Sequence, residues 1–153
     1  MTAFLSSVLA LSAVLLVAVQ APTLGVEALA GASQTAVSAA LGVAPVDNGP
    51  GLEGIPTTRV YAMSDGTLVS VLYCADQATT FDIRFGTAVS GPTEAAAWVG
   101  VPTTGAVVSE SSVEHVHWIR PEDGTTGVRL REMVASRSEV GWDRVIVRYT
   151  VPC

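Results

Sequence analysis

The stretch Thr80-Phe81-Asp82-Ile83-Arg84-Phe85 decides the fold. Phe81, Ile83 and Phe85 fall at alternate positions with Asp82 and Arg84 between them, so an extended chain holds the apolar side chains on one face and the charged pair on the other. The same alternation closes the sequence, where Val145, Val147, Tyr149 and Val151 interleave with Arg144, Ile146 and Arg148. From Thr67 to Ala75, Val69, Val71 and Tyr73 alternate with Leu68, Ser70, Leu72 and Cys74; both faces are largely apolar, as in a central strand. Further strands are expected at Arg59–Met63, Ala95–Val101, Gly105–Ser109, Val113–Ile119 and Gly127–Val134. Ser64-Asp65-Gly66 suits a tight type I′ hairpin, and Pro121 to Gly127 a longer hairpin loop. Seven or eight such strands with no helix between them predict an all-β domain over 58–153. Its expected form is an antiparallel β-sandwich of immunoglobulin-like or jelly-roll topology.

Ahead of this domain the chain changes character. Of its 153 residues, the first 58 hold three acids (Glu27, Asp47, Glu53) and no base; the rest hold eleven acids against eight arginines. The net charge of −6 thus divides equally between a nearly uncharged front and a mildly acidic domain. Ala3 to Val19 is apolar apart from Ser6, Ser7 and Ser12, and as a helix would be about 25 Å long against a hydrocarbon core of roughly 30 Å. Residues 1–30 therefore read as an apolar helix of one of two kinds. One is a secretory signal peptide cleaved after Ala28-Leu29-Ala30, before Gly31; the other is a retained anchor ending at Pro22. Both place the protein outside the cytoplasm: secreted, at the cell surface, anchored in a membrane or in a virion. Leu24, Ala28, Gly31 and Thr35 form a small-sided stripe in an Ala-rich segment, a weak helix that needs a packing partner. Pro and Gly from Ala44 to Pro56 complete a linker, so that 31–57 joins leader to domain. Gly49, Gly51 and Gly54 match the dinucleotide fingerprint by letter only, because Pro50 and Pro56 prevent the strand and helix that must flank it.

Composition excludes several chemistries. All eight basic residues are arginine, and without lysine there is neither a Walker loop nor a Schiff-base enzyme. The arginines alternate with acids rather than forming a basic run, so no nucleic acid is expected as partner. The two cysteines, Cys74 and Cys153, are expected to pair in an exported protein, closing a loop worth about 4–5 kcal/mol in chain entropy.

One cluster has the residue types of a metal centre. His115 and His117 stand two apart on a strand and share a face, and Glu122 follows closely enough to add a carboxylate. The run from His115 to Glu122 resembles the first half of a cupin metal motif; with two histidines in all, the chain has none for the second half. The structural alternative is a pair of half-exposed strand histidines with Glu122 in a polar turn, and no cofactor is expected. Ser109, Ser111 and Ser112 near the histidines fit no nucleophile elbow.

The layout as a whole, an apolar N-terminal helix kinked at a proline and followed by a β-domain, resembles the architecture of type IV pilin-related subunits. That likeness implies a non-enzymatic structural or adhesive subunit of a filament, envelope or virion. Self-association is then expected, with membrane contact through residues 3–19 if they are kept. Two other functions fit the same chain: a secreted monomeric binding module for sugar, peptide or protein, with Trp98 or Trp142 as contacts, and a small metal enzyme on His115, His117 and Glu122.

Overall fold

In a computed structural model, residues 23–46, 57–121 and 127–152 are described. Residues 3–19, with the expected apolar helix, lie outside them, as do most of the linker, Glu122 and Cys153. The elements in chain order are α1 (Val26–Leu29), α2 (Gln34–Leu41), β1 (Thr57–Ala62), β2 (Leu68–Cys74), β3 (Gln77–Val89), α3 (Pro92–Val99), β4 (Val107–Ser111), β5 (His115–Ile119), β6 (Arg129–Ser138) and β7 (Gly141–Thr150). The seven strands form a single antiparallel sheet in the order β1-β2-β3-β7-β6-β5-β4. Two meanders, β1 to β3 and β4 to β7, meet where β3 pairs with β7.

The expected sandwich is thereby corrected: among the described residues there is no second sheet, and helices cover the apolar face instead. Val69, Val71, Tyr73, Phe81, Ile83, Val145, Val147 and Met133 bury one side of the sheet against Val26, Val37, Ala95, Ala96 and Val99. Phe81 meets Tyr149 edge-to-face at 6.2 Å between ring centroids, a favoured aromatic geometry. Trp118 and Trp142 are buried, and Trp98 packs on Phe85, so none of the three is an open platform.

The strand expected at Ala95–Val101 is helix α3, which packs on β3, β6 and β7. Its sequence carries the helical signals that two-residue alternation obscured: Pro92 at the first turn, three consecutive alanines, and Gly100 closing the helix at φ 74°. Glu94 accepts the Ser90 N–H at 2.9 Å and its hydroxyl proton at 2.5 Å, tying down the first turn. Burial of Ala95, Ala96 and Val99 follows the helical period.

The Ala-rich front segment also differs from its expected form. It makes two short helices broken at Gly31, whose φ is 74°. The buried positions are Val26, Leu29 and Val37 rather than the small-sided stripe. Ser33 caps α2 by accepting the Ala36 N–H, and Asp76 in the β2–β3 turn accepts the Gln34 N–H at 3.0 Å. Gly31 and Ala32 exchange backbone hydrogen bonds with Ala78 of β3, at 2.8 and 2.9 Å. These residues are part of the core and not a tether.

The hairpin at Ser64–Gly66 forms, though not as type I′, since only Gly66 takes positive φ while Asp65 accepts the Thr67 N–H through its carboxylate. β3 passes directly beneath this turn. A Cβ on Gly86 would collide with the Asp65 carbonyl oxygen and lie 2.9 Å from Gly66, so the crossing demands glycine.

Candidate functional site

Register carries the face of the sheet opposite the helices into three rows. The first runs Thr58, Leu72, Thr80, Arg148, Glu132, Ile119, Val107; the second runs Val60, Ser70, Asp82, Ile146, Val134, His117, Glu110. Ala62, Leu68, Arg84, Arg144, Ser136 and His115 make the third. His115 and His117 thus share a face, as their spacing requires.

The two imidazoles do not converge on one point. His117 Nε2 lies 2.8 Å from Glu132 Oε2, and Glu132 Oε1 accepts from Arg148 Nη1 at 2.6 Å. His115 Nε2 lies 3.0 Å from Glu110 Oε1, at the outer strand. Each histidine is therefore matched to its own carboxylate, and among the described residues no three His, Cys, Asp or Glu side chains are placed to hold a metal. Glu122, the third expected ligand, lies outside the described residues.

Asp82 and Arg144 form a bidentate pair at 2.8 and 2.6 Å, and the hydrogen bond to Asp82 raises the Arg144 pKa further. Glu132 is held below the usual carboxylate range, first by the hydrogen bond from Arg148, with partial burial opposing and His117 assisting. A carboxyl depressed in the folded state contributes stability above the ordinary glutamate pKa of about 4.3 and loses it as pH falls through the folded value. Acidification from about pH 5 to about pH 3 is accordingly expected to lower the Tm of the wild type more steeply than that of Glu132→Gln. Parallel melting curves over that range would remove Glu132 from the account.

Of the serines near the histidines, one meets an imidazole. Ser112 Oγ lies 3.1 Å from His115 Nδ1, and with Glu110 beyond it this lines up a hydroxyl, an imidazole and a carboxylate. The spacing i, i+3 across a hairpin turn was its only signal. The chemistry is that of a turn: Ser112 Oγ accepts the N–H groups of Glu114 and His115 at 3.2 and 3.1 Å, which engages the lone pairs a nucleophile would use. The serine and Glu110 are exposed, where water competes for every contact.

What the open face presents most freely is its outer strand. All five residues of β4 are exposed, with Val107 at 54% and Val108 at 52% of their full accessibility. Among the described residues β4 pairs only with β5, through a register shift between Val108 and Glu110. The opposite edge is partly covered, because Val46 donates its N–H to the Val60 carbonyl of β1 at 2.7 Å. Cys74 is not a free thiol, while its expected partner Cys153 lies outside the described residues.

Comparison with protein-family models, with curated proteins and with solved structures finds no match to this chain.

Proposed function

We propose that the protein is a non-enzymatic subunit of an extracytoplasmic assembly, and that it associates with a second copy of itself by pairing along β4. The observation that carries this reading is the bare edge. An uncovered strand offers a row of N–H and C=O groups to another chain, and proteins that stay monomeric blunt such strands with lysine, proline or a covering segment. Among the described residues no segment covers β4, and its sequence, Val107-Val-Ser-Glu-Ser111, holds neither lysine nor proline; Glu110, the register shift beside it and a length of five residues are its protections against pairing. An antiparallel two-fold pairing centred near Ser109 sets Glu110 of one copy beside valine of the other, so like charges do not face each other.

The apolar front, residues 3–19, serves in this reading as leader or anchor. Cleavage before Gly31 would strip Val26 and Leu29 from the core, so any processing site belongs upstream of Thr23. Pairing of Cys74 with Cys153 would fasten the end of β7 and suits an oxidising compartment.

A charge placed on the edge tests the function. Val108→Lys is exposed enough to leave the fold intact, within about 0.5 kcal/mol. The wild-type chain is expected to show a dimeric or larger mass by light scattering and the variant a monomeric one. A wild type that is monomeric at the highest soluble concentration contradicts the proposal.

A further inference from the structure

We infer that acid tightens the pairing of β4 with a second copy, because protonated His115 neutralises Glu110, the only charge on that edge. The inference rests on the β4 association proposed above and names what regulates it. Glu110 is exposed, and its Oε1 lies 3.0 Å from Nε2 of half-buried His115 on the neighbouring strand. Antiparallel pairing about a two-fold axis keeps the open faces of both copies on one side. The two Glu110 carboxylates, both on that face, then flank the axis as diagonal neighbours, roughly 7–8 Å apart. That separation is within the screening length of physiological salt, so two bare carboxylates oppose the pairing. Two that are each matched to an imidazolium do not.

The contacts of His115 fix which atom takes the proton. Ser112 Oγ accepts the N–H groups of Glu114 and His115, so its own proton is left to donate to His115 Nδ1 at 3.1 Å. The neutral ring therefore carries its hydrogen on Nε2, facing Glu110, and the pair stays anionic. Acid adds a proton at Nδ1. The Ser112 hydroxyl then turns to the His115 carbonyl, 3.4 Å away, and the pair becomes neutral. Among the described residues the other charges nearby are already matched or face water. On β6 the register partner of His115 is Ser136, and Arg144 of β7 beyond it is held by Asp82. Along β5, His117 is matched to Glu132, which is itself bound by Arg148. Glu114 in the turn and Arg137 of β6 are both exposed.

The test is the dimer dissociation constant of the full chain, measured by sedimentation equilibrium at about pH 7.5 and about pH 5.5 at constant ionic strength. Ordinary carboxylates stay ionised across this interval while histidine gains its charge. The wild type is expected to associate at least about threefold more tightly at the lower pH. His115→Gln removes the titrating ring, and Glu110→Gln removes the charge that it neutralises. Each variant should associate equally at both pH values. A wild type that dimerises equally at both overturns the inference and leaves the β4 pairing standing. The same tightening in His115→Gln also overturns it, since the effect would then come from His117 or from a general loss of charge. A wild type that is monomeric at both values contradicts the pairing itself, and the inference with it.

Discussion

Val37→Asp is expected to leave the protein without a stable fold at room temperature. Val37 is fully buried in α2 and belongs to the same core as β3 and β7. An aspartate there has no partner among apolar neighbours, and an uncompensated buried charge costs about 3–5 kcal/mol, on top of the packing lost with the valine. Domains of this size have about 5–15 kcal/mol in total. Ala40→Asp, at an exposed position in the last turn of the same helix, should cost only about 1 kcal/mol, from helix propensity and the helix dipole. The contrast separates a structural α2 from a tether: a core helix makes the Val37 effect several times the Ala40 effect, whereas in a linker both substitutions would be silent. Urea denaturation of the two variants measures it.

Phe81→Ala is expected to cost about 3–5 kcal/mol by the same measurement. The ring is fully buried in β3, against Tyr149 of β7, at the junction of the two meanders. Its loss removes the edge-to-face contact and leaves a cavity where the two meanders join. Exposed Arg84, three residues along the same strand and facing the other way, gives the comparison: Arg84→Ala should stay within about 0.5 kcal/mol. Equal effects at the two positions would mean that the sheet is not buried on the Phe81 side alone.

The strands were legible where alternation was strong. β3 and β7 read directly, because one face of each is buried and the other carries charges that cannot be. The layer opposite them was not legible. Alternation identifies a buried face without saying what buries it, and two sheets or one sheet with helices satisfy the same pattern. In Pro92–Val99 the helix signals were local and lay in turn chemistry and alanine content, while the valine and tryptophan suggested a strand. In the front segment, Gly31 resets the helical phase between Val26 and Val37, so no continuous stripe exists to be seen.

The histidine face followed from parity alone. The carboxylates did not, since Glu132 reaches His117 through the pairing of β5 with β6, and that register is fixed by the whole sheet. The bare edge was equally hidden: Val107 and Val108 look like core residues until β4 proves to be the last strand.

Backbone hydrogen exchange at residues 107–111, followed as the protein is concentrated, tests the association of β4 most directly. Slowing of exchange with concentration, confined to β4 and abolished by Val108→Lys, is the predicted result. Fast exchange at these residues, independent of concentration, would contradict it.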